Sequence, residues 1–288
     1  MQWAQAVISM VDGPEAAGQH RARVTAVAAE RMSADDAVLE TIHAAGLRRS
    51  ERRTFRARSF EDYLIPGTIG LRNRLVDDEH PDGIDDTRLF RELEIQITHL
   101  RLVELTFNPA EGYFDYDHLK LTHRRIFSDI FDWAGTERVG PDTPLVRYAR
   151  DSTQYAPGDP EAILVREQYY PGPEISEAAT AIFTHLQLVL ANTSLSRPEK
   201  LERLAECGEL NAVHPFRDGN GRTMFVFTLW MSAHLGIPID PASCLPSGSR
   251  SDMIIANRAY QQTGDFTQLK GTFDHIYGGD QTQTQAML

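Results

Sequence analysis

Cysteine is nearly absent, with Cys207 and Cys244 the only two in 288 residues. Two thiols make no disulfide framework, and no CxxC or Cys/His spacing prefigures a zinc site, so both are expected as buried thiols. No apolar run approaches the ~20 residues of a membrane span, and the N-terminus lacks the basic start and long apolar core of a signal peptide. Basic charge is also in deficit, since 29 Lys and Arg stand against 41 Asp and Glu for a net charge of -12. Such a balance argues against nonspecific binding to nucleic acid or to a membrane surface. There is no internal repeat. These absences predict a soluble cytoplasmic protein (an exported effector is the alternative), with one large domain and a small appendage.

What is there is mostly helical periodicity. Residues 2–11 carry Trp3, Ala6, Val7, Ile8, Met10 and Val11, and Asp12-Gly13-Pro14 ends that helix. A second helix fits 15–30, with Val24, Val27 and Ala28 on one face. A third opens on Ser33 as N-cap, with Asp35 and Asp36 in its first turn and Gly46 closing it. The arginine-rich stretch 48–58 reads as a solvated linker, or else as a dock for the acidic remainder of the chain. Residues 77–86 read as an exposed acidic loop, and helices then fit 87–106 and 115–133. Between 136 and 173 Pro, Gly, Asp and Tyr displace the helical period. Val146-Arg147-Tyr148 and Gln154-Tyr155-Ala156 are predicted to pair as a hairpin, with residues 164–173, including Tyr169 and Tyr170, inserted after it. Helices resume at 174–191 and 197–213, and again over about 222–235. Two more fit 251–262 and 265–277, and the Gln/Thr-rich tail 278–288 is expected to fray. The predicted fold class is mainly α, a helical bundle with one β-hairpin.

Chemistry concentrates in residues 214–222, which read His-Pro-Phe-Arg-Asp-Gly-Asn-Gly-Arg and lead into the apolar run of Met224, Phe225, Val226, Phe227, Leu229, Trp230 and Met231. That is a loop followed by a helix. Backbone N–H groups and the positive dipole end at such a helix start favour an anion, typically phosphate. Arg222 adds a forked donor. Asp218 suits Mg²⁺, which keeps few protein ligands and bridges phosphates, and His214 can accept a proton near neutral pH. The parts suit moving a phosphate-linked group onto a hydroxyl.

The string resembles the signature of the Fic family, His-x-Phe-x-Asp/Glu-Gly-Asn-Gly-Arg-x-x-Arg. The resemblance extends to residues 127–135 (Phe-Ser-Asp-Ile-Phe-Asp-Trp-Ala-Gly), to Leu210-Asn211-Ala212-Val213 and to residues 63–68. It implies a Fic-type helical bundle over 63–277, preceded by an Arg-rich linker at 48–62. The activity it implies is transfer of AMP from ATP to a Tyr, Ser or Thr hydroxyl of a target protein, with Mg²⁺ bound. In that reading His214 is the base, Phe216 anchors the loop and Asp218 holds Mg²⁺. Gly219, Asn220, Gly221 and Arg222 take the phosphates, with the Asn220 side chain as an added donor. The hairpin, about 146–157, resembles the family's flap, whose Ser152, Thr153, Gln154 and Tyr155 would dock the target as an added strand.

The resemblance breaks at Phe225, where the family's last arginine should stand to bind the γ-phosphate and receive an inhibitory glutamate. Residues 1–47 resemble a fused antitoxin carrying that inhibitory helix, with Ser9, Asp12 and Gly13 in its motif. There Asp12 takes the glutamate position and Ser9 sits one residue late. A donor other than ATP, or transfer of UMP, phosphocholine or phosphate, therefore stays an alternative, as does a non-catalytic nucleotide-binding or self-inhibited module.

Overall fold

The computed structural model describes residues 18–151, 154–155 and 159–237, with residues 259, 260, 263, 265, 267 and 269–271. The helix expected at 2–11, and with it Ser9, Asp12 and Gly13, lies outside the described residues, as do Ser152, Thr153, the tail and most of the two last helices. Among the described residues there are eight α-helices and two small two-stranded sheets.

Helix starts follow local chemistry. Helix α1 spans Gly18–Ala28 and α2 Ala34–Ala44. The Ser33 hydroxyl accepts from the Asp36 N–H at 3.0 Å, and Gly46 takes the left-handed φ of 76° that closes the turn after α2. Asp86 caps α3 (Thr87–Phe107), Asp115 caps α4 (Tyr116–Phe127), and a Ser196–Glu199 capping box opens α6 (Arg197–Glu206). Helix α5 runs Ile175–Leu190, α7 Leu210–Val213 and α8 Asn220–His234.

Three expectations need correction. The helix expected to reach residue 133 stops at Phe127: the N–H groups of Ile130 and Phe131 both turn back to the Phe127 carbonyl, and Arg101 and Arg49 hold the Asp129 carboxylate. The helix expected over 197–213 tightens to a 3₁₀ turn at Cys207–Glu209 before α7, with Gly208, a poor helix former, at its centre. The hairpin pairs β3 (Leu145–Arg150) with β4 (Leu164–Tyr169), so residues 164–169 are its second strand rather than an insertion, and Gln154 and Tyr155 fall in the connection. Strand β4 buries Glu167 and Tyr169 on one face, a period-two signal that the charges of Arg166 and Glu167 disguise.

The arginine-rich stretch lies on carboxylates and carbonyls. Arg48–Arg49 (β1) pairs antiparallel with Leu75–Val76 (β2). Arg48 pairs with Asp78, Arg49 with Asp129, the Arg53 N–H bonds the Asp132 carboxylate, and Arg52 reaches the Ala134 carbonyl. The buried guanidinium of Arg101 spans Asp35 of α2, Glu104 of α3 and Asp129, tying the N-terminal helices to the turn after α4.

Two apolar cores result. One packs Val24, Val27, Ala37, Val38 and Ile42 of α1 and α2 against α3 and the end of α4. The other packs α5, α6 and α7 against Phe216 and α8. Helix α8 serves both, and Phe225 touches each.

Candidate active site

The loop begins where α7 ends. His214 caps that helix in the left-handed region, φ 51° and ψ 61°, with its N–H bonded to the Leu210 carbonyl at 2.9 Å. A non-glycine residue there costs about 1–2 kcal/mol, which the surroundings must offset. Around the turn stands Arg138, buried in the segment after α4. Its Nε donates to the His214 carbonyl at 2.7 Å, its Nη2 to the Tyr170 carbonyl at 2.7 Å, and its own N–H bonds the Pro215 carbonyl.

The imidazole is set for one proton. Nδ1 lies 3.2 Å from the Asn211 carbonyl, an acceptor, so Nδ1 carries the hydrogen and Nε2 keeps its lone pair. Burial pushes the His214 pKa down to about 4, against the bond to Asn211 and with the positive charges of Arg138, Arg147 and Arg217. His214 is therefore a neutral base at pH 7. The ring of Tyr169, from the inward face of β4, lies over it with 4.3 Å between centroids.

Phe216 turns into the core, 1% exposed, and stacks on His123 of α4 at 3.9 Å. His123 is fully buried and kept neutral, its pKa pushed by burial to about 3. Its Nδ1 accepts from the Gly135 N–H at 2.8 Å and its Nε2 donates to the Asp218 carbonyl at 2.9 Å, so a single tautomer spans two loops. The Asn220 amide is used differently from the expectation. Its oxygen accepts from the Phe216 N–H at 2.9 Å and its nitrogen donates to the Phe216 carbonyl at 2.7 Å. Buried, it ties the loop shut rather than projecting as a phosphate donor.

Gly219 is required at the N-cap of α8. Its φ is 80°, and a Cβ there would stand 2.4 Å from the Phe127 ring. The Thr223 N–H makes the first intrahelical bond, to the Gly219 carbonyl, and the Gly219 N–H is taken by the Asp218 carboxylate. The N–H groups of Asn220, Gly221 and Arg222 therefore have no intrahelical acceptor and stand at the positive end of a 15-residue helix. A Cβ on Gly221 would meet nothing within 4 Å, so open space adjoins them.

Arg222 reaches across to α3. Its Nη1 donates to Thr98 Oγ1 at 3.2 Å, its Nη2 pairs with Glu94, and the guanidinium lies 4.6 Å over the Phe127 ring. Among the described residues two of its five donors are thus engaged. Arg217 stacks on Phe60 at 4.1 Å. Among the described residues no group of three or more His, Cys, Asp or Glu forms a metal cluster. Asp218 offers a single carboxylate at the helix start, a donor set that fits Mg²⁺ completing its shell with phosphate oxygens and water, and would not fit a dedicated protein cage.

Beside Tyr169 a cavity of about 440 Å³ is lined by Gln168, Tyr170, Glu174, Glu209, Ala212 and Tyr260, among others. The Tyr170 hydroxyl donates to Glu209 at 3.1 Å. Arg147 of β3 faces the buried Glu167 across the hairpin and bonds it through Nε at 2.9 Å.

The structure thus brings His214, Phe216, Asp218, Gly219, Asn220, Gly221 and Arg222 onto one tied loop. Gln154, exposed, and Tyr155, half-buried, belong to the hairpin connection. Sequence reasoning missed Arg138, His123, Glu94, Thr98 and Tyr169. A lone histidine or glutamate inside an amphipathic helix carries no motif. Arg138, three residues past the Trp133-Ala134-Gly135 run, lay beside a stretch already singled out, and Tyr169 was named only as part of an insertion.

Residues 113–232 match the model of the Fic/DOC family. The protein adenylyltransferase VbhT of Bartonella schoenbuchensis is 30% identical over 185 residues, 63% of this chain and 33% of that one, so the chain spans about a third of that relative's length. A probable protein adenylyltransferase of Sinorhizobium fredii, y4lH, is 30% identical over 206 residues, 69% of this chain and 90% of that one. Among solved structures, the BepC effector of Bartonella tribocorum with bound AMPPNP superposes with a TM-score of 0.55 at 26% identity, covering 75% of this chain and 96% of the other.

Proposed function

The chain belongs to the Fic/DOC family, and from that premise we propose that it transfers AMP from ATP to a hydroxyl side chain of a protein, releasing pyrophosphate. The observation that carries the reading is the tied loop. It sets a neutral histidine, its Nε2 lone pair kept, a few residues ahead of three N–H groups at a helix start that have no partner among the described residues.

His214 Nε2 takes the proton of the target hydroxyl as its oxygen attacks the α-phosphorus. The bond from that phosphorus to the bridging oxygen breaks, and pyrophosphate leaves. The amides of Asn220, Gly221 and Arg222 face the charge that gathers on the phosphate oxygens, already oriented and needing no rearrangement. The Arg222 donors not engaged among the described residues add to them. Mg²⁺, held by Asp218, would neutralise charge on the phosphates. Tyr169, whose ring lies over His214, also lines an open groove with Tyr170 and Tyr260, and these aromatic faces offer a place for a nucleobase. The adenylyltransferase names of the relatives and the AMPPNP in BepC support the same donor. For the acceptor, β3 is paired on one side only among the described residues, which supports a target segment adding beside it as a strand.

A second reading has its own observation. Phe225 packs into both cores, so the position where an arginine would meet a γ-phosphate carries no charge. That favours a donor recognised only as far as its second phosphate.

The test incubates the protein with cell lysate, Mg²⁺ and ATP labelled at the α or the γ position, beside His214→Ala. Protein labelled from α only, and unlabelled with the variant, is the expected result. Label from γ indicates phosphate transfer, label seen only in a parallel incubation with CDP-choline, a diphosphate-linked donor, supports the second reading, and no label from any donor defeats both.

A further inference from the structure

We propose that Arg138 is the positioning residue for His214: its buried guanidinium bonds the carbonyls of Val213, His214 and Tyr170 together, fixing the left-handed turn that aims the imidazole and tying that turn to the end of β4. The inference rests on the reading of His214 as the proton acceptor.

Arg138 is 3% exposed. Its bonds run from Nε to the His214 carbonyl at 2.7 Å and from Nη2 to the carbonyls of Tyr170 at 2.7 Å and Val213 at 3.4 Å, while its N–H bonds the Pro215 carbonyl at 2.8 Å. The acceptors are therefore three consecutive residues of the turn and one residue beyond β4. The Tyr170 N–H bonds the Ala212 carbonyl at 3.1 Å, which closes a ring between strand end and turn. A guanidinium presents its donors in a fixed planar fork, so it can hold several carbonyls at set angles, whereas an ammonium is a point donor on a flexible stem.

Nothing about helix packing calls for a cation here. The side chain is buried, Nη1 finds no acceptor among the described residues, and burial pulls the pKa down to about 10, which still leaves it charged at neutral pH. Burying a cation against neutral carbonyls is costly, and the geometry it enforces falls on the one residue whose side chain must be aimed. The positive charge also disfavours protonation of the imidazole. The groups facing His214 are Arg138 from the segment after α4, Arg147 from β3, the Tyr169 ring from β4, the Asn211 carbonyl from α7 and Arg217 from its own loop.

The experiment pairs an NMR titration of isotope-labelled histidine with steady-state AMP transfer. In Arg138→Lys the charge stays and the fork is lost. We expect kcat to fall about tenfold or more with KM for ATP little changed, while the His214 midpoint stays close to the wild-type value. In Arg138→Gln the charge is lost as well, and the midpoint should rise by about one unit, carrying the acid limb of the pH–rate profile with it. Should these variants fail to fold, the unmutated protein serves: the Arg138 Nε–H resonance should shift with the His214 midpoint. Wild-type kcat in Arg138→Lys, an unmoved His214 midpoint in folded Arg138→Gln, or an Nε–H resonance blind to the titration would overturn the proposal. A wild-type chain that transfers no AMP would defeat the functional reading, while the Arg138 Nε–H resonance still decides whether the guanidinium is held on the His214 turn.

Discussion

The Asn220 amide accepts from the Phe216 N–H and donates to the Phe216 carbonyl, both out of reach of water. Asn220→Ala leaves both backbone groups unsatisfied, and each costs about 1–3 kcal/mol. We expect a melting temperature lowered by several degrees, and transfer activity lost beyond what the reduced folded fraction explains. The buried histidines make a second prediction. The folded pKa values of His123, about 3, and His214, about 4, lie below the ordinary histidine value of 6.5. As pH falls below 6.5 the unfolded chain takes up protons that the folded chain refuses. Stability is therefore full above that value and is lost toward pH 4, at up to about 1.4 kcal/mol per unit for each group. Thermal unfolding at pH 7, 6, 5 and 4 should show the decline. His123→Gln, which keeps a donor for the Asp218 carbonyl, should flatten it; an unchanged slope would remove His123 as its source.

At the scale of elements, the two glycines at the start of α8 separate folding from binding. Gly219→Ala drives a Cβ into the Phe127 ring in a left-handed conformation, so a loss of about 1–3 kcal/mol is expected. Gly221→Ala meets nothing in the protein and removes a poor helix former, so its melting temperature should hold or rise slightly. Any rise in KM for ATP in Gly221→Ala then reports the space a bound phosphate needs, and unchanged kinetics would move the phosphates elsewhere. The same element shows what was legible in sequence. The Ser33 cap and the helix starts near residues 87 and 115 follow from local rules and are found in place. The stop of α4 at Phe127 is not legible, because it is decided by Arg49, Arg74 and Arg101 converging on the turn from distant segments. The second hairpin strand is hidden because its buried Glu167 is paired by Arg147 from the facing strand, a partner 20 positions away.

Across the whole molecule, the loop residues were readable because they act through backbone and short range, whereas Arg138, His123 and Glu94 act across 76, 95 and 128 positions. The N-terminal helices make the point again. Val24, Val27, Val38 and Ile42 complete a core with α3 and α4, so residues 18–47 are packed as part of the catalytic body. Ile42→Ala should cost about 2–5 kcal/mol, and the loss should register at His214 as one cooperative transition with the rest; a catalytic loop that melts separately would show two independent bodies. That shared core also has a consequence for biosynthesis. Helices α1 and α2 leave the ribosome with their apolar faces bare, and their partner α3 is complete only at Phe107. At ~5–20 residues per second the wait lasts several seconds. The nascent chain must pass that interval shielded, so depletion of ribosome-bound chaperones should lower its soluble yield.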